Sequence, residues 1–156
     1  MSPILPREGR VEAATYLYPV RVYYEDTDAA GLVYYANYLK FAERARTEML
    51  RRLGVEQERL RAETGLGFVV RRCSVDYLLP ARLDDDLVVL TRLAGLGAAT
   101  LDIEQEVHRG DATLARLSLA IAAVGRSGRP QRLPPTLRAA LLSLNETTKM
   151  VTAHAR

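Results

Sequence analysis

Three carboxylates, Glu25, Asp26 and Asp28, stand just ahead of the small residues Ala29, Ala30 and Gly31. Tyr34 and Tyr35 follow, immediately before a helix-like segment at Asn37. A helix N-terminus leaves backbone N–H groups unpaired and carries about half a positive charge. Such a tip polarises a carbonyl or holds an oxyanion. A carboxylate a few residues upstream can face the same point, where it attacks the carbonyl or takes a proton from a neighbouring water. Gly31 permits close backbone approach, and the two alanines keep the turn narrow. Acyl transfer is the chemistry these residue types suit. The same aspartates also suit a structural turn, accepting local backbone hydrogen bonds and complementing the helix dipole. On the residues alone, both readings stay open.

Positioning these groups requires a strand before them and a helix after them. "YLYPVRVYYE", residues 16 to 25, is rich in tyrosine and valine and reads as a strand, with Pro19 best tolerated at an edge or a bulge. Residues 1 to 15 have no clear periodicity. Asn37 reads as an N-cap, and Tyr38, Phe41, Ala42, Ala45, Met49 and Leu53 then recur at helical spacing on one face. Gly54 stops the helix. Residues 56 to 63 read as a short polar helix.

From residue 66 the period becomes alternating. Val69, Cys73, Val75, Tyr77 and Leu79 are expected on one side of a strand. "LVVLTRLAGL", "LDIEQEVH" and "ATLARLSLAIAAV" read as three more strands joined by short reversals at "GLGAAT" and "RGD". Short reversals imply antiparallel pairing. "PTLRAALLSL" reads as a short helix, and residues 145–156 as a flexible tail. The expected class is α+β, one domain over residues 1–156 with its core at about 16–140. Its antiparallel sheet wraps a long central helix, because a helix with one apolar face needs a surface to cover it.

Composition narrows the partners. The sequence has 156 residues, enough for one domain with a real core. No apolar run approaches the roughly 20 residues that span a bilayer. No basic-then-apolar leader opens it, so the expected location is cytoplasmic. The single cysteine, Cys73, excludes a disulfide or thiolate cluster within the chain, and two histidines, His108 and His154, make a zinc site unexpected. Both read as surface residues. Lys40 and Lys149 are the only lysines, so arginine carries the +3 charge and favours phosphate or carboxylate contacts. No basic run with interleaved aromatics points to nucleic acid.

"VYYEDTDAAGLVYYANYLKFAERARTEMLRRLG", together with "VVRRCSVDYLLPARLDDDLVV" and "GRPQRLP", resembles the hotdog-fold acyl-CoA thioesterases. The similarity is greatest to the YbgC-type, Tol-Pal-associated subgroup of the 4-hydroxybenzoyl-CoA thioesterase family. It implies a five-stranded antiparallel sheet around the long helix and hydrolysis of a thioester to free acid and coenzyme A. The carboxylate of the family's D-x-x-G element maps to Asp28, as nucleophile or general base, and the polarising N–H at the helix start maps to Tyr35. Asp26, and Glu43 and Glu48 on the helix, are rival carboxylates without the matching motif. Many YbgC-type relatives carry histidine at the position of Tyr35, whereas the hydroxybenzoyl-CoA enzymes carry tyrosine. A backbone N–H survives that exchange, but imidazole acid–base chemistry does not.

The resemblance also implies that Gly31, Val33, Tyr34 and Tyr38 line the acyl site. Core packing serves Tyr38 equally well. Arg126, Arg129 and Arg132, with Arg71 and Arg72 as alternatives, are candidates for the coenzyme A phosphates. No metal and no cofactor beyond coenzyme A in the substrate is implied. Homo-oligomers, dimers or dimers of dimers, are expected. Peripheral association with envelope or acyl carrier proteins, or a non-catalytic binding role on the same scaffold, is the alternative.

Overall fold

The computed structural model describes residues 8–153, with side chains described for residues 8–145. Six strands form one antiparallel sheet in the order β1-β2-β4-β5-β6-β3. They are β1 (Arg10–Glu12), β2 (Thr15–Arg21), β3 (Gly67–Tyr77), β4 (Asp86–Leu96), β5 (Thr100–Arg109) and β6 (Ala112–Val124). The helices are α1 (Asn37–Arg52), α2 (Gln57–Thr64) and α3 (Pro135–Ala153). The long helix and the four-strand run after it fall where the periodicity places them.

The sixth strand is β1, in a segment read as lacking structure. It turns into β2 through Ala13 and Ala14, both with positive φ. Alanine rarely adopts that conformation, so the sequence carries no turn signal there. β1 pairs only with Thr15–Leu17, so β2 is a sheet edge at Pro19, where a missing N–H costs nothing. α3 is longer than expected and takes in most of the stretch read as a tail. Residues 154–156, with His154, lie outside the described residues.

α1 lays Tyr38, Phe41, Ala42, Ala45 and Met49 onto β2, β4 and β5, all of them buried. Leu53 is only half-buried at the frayed end, and Leu50 is buried instead. Burying a side chain the size of Phe41 or Met49 is worth about 1.5–3 kcal/mol. The two alanines let the helix sit close to the sheet.

β3 is the other edge, paired on one side with β6 alone. A register shift between Val70 and Arg72 puts a bulge at Arg71. A bulge inserts one residue and inverts the alternation. Phe68 therefore faces the core before it and Val75 after it, while Val69 is 48% exposed. The expectation that Val69 shares a side with Val75 and Tyr77 is corrected by that one residue. No helix among the described residues is long and apolar enough to cross a membrane.

Candidate active site

β2 ends at Arg21, and the chain enters a single 3₁₀ turn at Tyr24–Asp26. Asp26 is buried, and its Oδ2 accepts the Tyr23 N–H at 2.8 Å. Its carbonyl oxygen accepts Asn37 Nδ2 at 2.8 Å and the Tyr34 N–H at 3.0 Å. Asp26 thus ties the turn to the start of α1. The strand stops short of it, so the two-residue spacing does not place Asp26 and Asp28 on one open face. Asn37 is the first helical residue and not the N-cap: Ala36 takes that place without a side-chain cap. The Asn37 amide is committed to Asp26 instead.

Asp28 opens a tight reversal closed by the Asp28 N–H to Leu32 O at 2.8 Å and the Gly31 N–H to Asp28 O at 3.0 Å. Its Oδ1 accepts the Ala30 N–H at 2.9 Å and the Leu32 N–H at 3.2 Å. Two backbone donors fix one oxygen and hold the carboxylate in orientation. Oδ2 has no partner among the described residues. Gly31 has φ +77°, and a Cβ there would meet nothing within 4 Å. Its requirement is the left-handed conformation rather than the close approach expected of it.

Asp28 lines an open cleft of about 500 Å³ with Leu32, Val33, Tyr34, Tyr35, Tyr38, Tyr77, Leu78, Leu79 and Pro80. Val33 is buried and fixed through its N–H to Ala81 O at 2.9 Å. The tyrosines form a connected group. Tyr34 and Tyr35 lie 4.9 Å apart, Tyr35 and Tyr77 meet edge-on at 6.1 Å, and Tyr38 and Tyr77 at 5.4 Å. Tyr38 is buried, and its hydroxyl accepts the Ala81 N–H at 2.9 Å. Core packing and cleft lining therefore coincide in it. Burial is the main cause that raises the Tyr38 and Tyr77 phenols above their usual range, and donating a hydrogen bond to Tyr35 does the same for exposed Tyr34. These phenols stay protonated at neutral pH, as donors and not bases.

At the helix entrance, Tyr34 O accepts the Asn37 N–H at 2.8 Å. A trans peptide sets its N–H opposite its C=O, so the Tyr35 N–H points outward from the tip. Tyr35 O accepts the Tyr77 hydroxyl at 2.8 Å, which fixes the following peptide in the same way. Neither the Tyr35 nor the Ala36 N–H has an acceptor among the described residues. The entrance thus offers free, oriented donors beside a fixed carboxylate, which is the arrangement acyl transfer needs.

Tyr77 is the residue that sequence reasoning missed here. It contacts the entrance across 42 residues of chain, and its only signal was its place on the inward side of β3. The predicted arginines are not brought to the cleft of their own chain. Arg71 sits exposed in the β3 bulge. Arg126 lies over Gly65 and donates to Ala62 O at 3.3 Å. Exposed Arg129 closes a tight turn with Gly125, and exposed Arg132 follows it. Because Gly67 pairs with Val124, that loop lies at the start of β3, ten residues from Tyr77. Glu48 makes a 3.8 Å pair with Arg51. His108 is half-buried rather than at the surface, its Nε2 2.6 Å from Glu106 Oε2.

The family model of the thioesterase-like superfamily matches residues 22–141. The chain is 44% identical over 124 residues to a Haemophilus influenzae protein named acyl-CoA thioesterase YbgC, covering 79% of this chain and 91% of that one. It is 50% identical over 97 residues to an Escherichia coli protein named acyl-CoA thioester hydrolase YbgC, covering 62% and 72%. Among solved structures, a probable thioesterase from Bartonella henselae superposes with a TM-score of 0.74 at 36% identity, covering 77% of this chain and 99% of that one. Fold, matched segment and identity agree that this chain belongs to the thioesterase-like superfamily, as a YbgC-type hotdog thioesterase.

Proposed function

We propose that this thioesterase hydrolyses acyl-CoA to a free acid and coenzyme A, with Asp28 supplying the carboxylate and the Tyr35 N–H polarising the thioester carbonyl. The observation that carries the reading is the Asp28 carboxylate, held by two backbone N–H groups on a cleft whose wall includes Tyr35 and its unpartnered N–H. The thioester carbonyl oxygen, placed at the helix tip, gains negative charge as the carbon is attacked. The tip's donors favour that charge more than the neutral carbonyl, which lowers the barrier. As general base, Asp28 takes a proton from the attacking water. The C–S bond breaks, and the sulfur leaves as a thiolate that regains the proton. As nucleophile, Asp28 forms a mixed anhydride that water then opens. Both routes release the same products, and neither calls for a metal or redox cofactor, because a thiol is acidic enough to leave as its anion.

The assembly we assign, a homo-oligomer, rests on β3. Its outer edge has no strand partner among the described residues and carries exposed Val69, Val70 and Tyr77. An unpaired apolar edge is a template for another strand. A two-fold partner joining there runs antiparallel, so the start of its β3 lies beside the end of this one. Its basic loop, equivalent to residues 126–132, then comes to this cleft, where arginines clamp the coenzyme A phosphates. The cell compartment we assign is the cytoplasm.

The test is thiol release from a panel of acyl-CoA thioesters by wild type and Asp28→Asn. Hydrolysis by wild type and its loss in the variant are expected. Tight acyl-CoA binding without thiol release from any thioester would instead mark a binding module.

A further inference from the structure

Arg46 is a part-buried cation on a largely apolar cavity, hydrogen-bonded to a neutral amide and with Glu43 on the same wall. It projects from the middle of α1 into a second cavity, walled by Met49, Leu50, Phe68, Val70, Ile103 and Ile121, with Glu43 and Gln57 among its polar lining. One guanidinium nitrogen, Nη1, donates to Gln105 Oε1 at 2.8 Å. Gln105 is itself buried, and its Nε2 donates to Ala42 O and Thr91 Oγ1, both at 2.9 Å. The amide is thereby oriented so that only its oxygen meets Arg46. No ion pair joins Arg46 to a carboxylate among the described residues, although Glu43 lines the same cavity and acts on the guanidinium electrostatically. Burial lowers the guanidinium pKa, but an arginine stays charged. Buried charges are ordinarily paired, because an unpaired one forfeits its hydration. Here a neutral amide holds the group in place and leaves further donors of its fork open.

The cavity and the catalytic cleft are both lined by residues of α1 and β3. Leu39, Arg46 and Leu50 recur at helical spacing on one side of α1, and Leu39 is exposed. Tyr38 lines the cleft and Arg46 the cavity; eight residues of helix separate them by about 12 Å. β3 bounds both, through Tyr77 at one end and Phe68 and Val70 at the other. The cleft and the cavity thus each lie against both α1 and β3.

We infer that this cavity receives the far end of the acyl group, and that Arg46 selects acyl groups ending in a carboxylate. The inference rests on the acyl-CoA hydrolysis reading and names its substrate class. Apolar walls take the methylene or aryl portion, and the guanidinium fork pairs with the terminal carboxylate. Arg46 is a specificity residue and not a catalytic one.

Suberoyl-CoA and octanoyl-CoA, equal in chain length but not in terminal charge, test this in wild type, Arg46→Met and Arg46→Gln. A lost charge-assisted hydrogen bond lowers kcat/KM for suberoyl-CoA by about 10- to 100-fold, through KM, while octanoyl-CoA stays within about threefold. Parallel changes for both thioesters overturn the inference, as does an unaltered suberoyl-CoA value. Free suberate gives a readout independent of turnover. It is expected to raise the Tm of wild type more than octanoate does, and to lose that advantage in Arg46→Gln. Equal shifts in wild type count against the site. A suberate-specific shift with no hydrolysis of any acyl-CoA would refute the hydrolysis reading and leave the anion site standing.

Discussion

Asp26→Ala separates the two neighbouring aspartates, because it should damage folding and spare chemistry. Asp26 is 4% exposed, and its carboxylate accepts the Tyr23 N–H at 2.8 Å. Removing it leaves a part-buried donor without an acceptor. A hydrogen bond to a charged group contributes about 1.5–3 kcal/mol. At about 2–4 °C per kcal/mol for a chain of this size, Tm falls by about 3–12 °C. The main-chain oxygen of residue 26 still accepts Asn37 Nδ2 and the Tyr34 N–H, so the folded variant keeps its helix entrance. Its kcat at a temperature well below Tm is therefore expected within about threefold of wild type, since no interaction made only in the transition state is removed. Thermal melting and thiol-release kinetics on one preparation supply both numbers. An unchanged Tm with kcat reduced a hundredfold or so would reverse the roles assigned to Asp26 and Asp28 and refute the reasoning.

Two further outcomes follow from the cleft and the sheet. Tyr77→Phe removes one donor, the hydroxyl that holds Tyr35 O; kcat/KM should fall by about 2- to 10-fold, the equivalent of one neutral hydrogen bond, and steady-state kinetics check it. At Asp85, burial opposes ionisation, but hydrogen bonds from Arg109 and the Arg82 N–H outweigh it and hold the carboxyl below its usual value of 3.8. A depressed folded-state pKa adds stability that is full above 3.8 and lost as pH falls through the lower folded value. The Tm gap between wild type and Asp85→Asn should therefore be widest near neutrality and close below pH 3.8, as melting across pH measures.

Much of this architecture was legible because its signals are local. The apolar spacing from Tyr38 to Met49 marks α1, the glycine at 54 ends it, and alternation marks β4 to β6. The reversal at Asp28 was legible as a turn, since aspartate followed by Gly31 three residues later is turn chemistry. What escaped depends on contacts distant in sequence or on rare backbone. β1 is built on two alanines with positive φ, which no propensity flags. Asn37 reads as a cap because its residue type fits one, but the competing acceptor is Asp26 O, eleven residues away. The β3 bulge at Arg71 inverted the side of Val69 without any glycine to mark it. Gln105 did leave a trace: it interrupts the apolar series Leu101, Ile103 and Val107 on the inner face of β5. A polar residue there implies buried partners, and they are Thr91 Oγ1 and Ala42 O for its amide nitrogen, with Arg46 on its oxygen.

The most direct measurement is the single-turnover rate of Asp28→Asn at saturating acyl-CoA. The amide keeps the shape, and its oxygen can still accept the Ala30 and Leu32 N–H groups, so the turn is retained. The variant's rate is expected to be lower by about 100- to 10,000-fold with acyl-CoA binding unchanged, the usual worth of a positioned base or nucleophile. A rate within about threefold of wild type would place the chemistry on some other group and contradict the account.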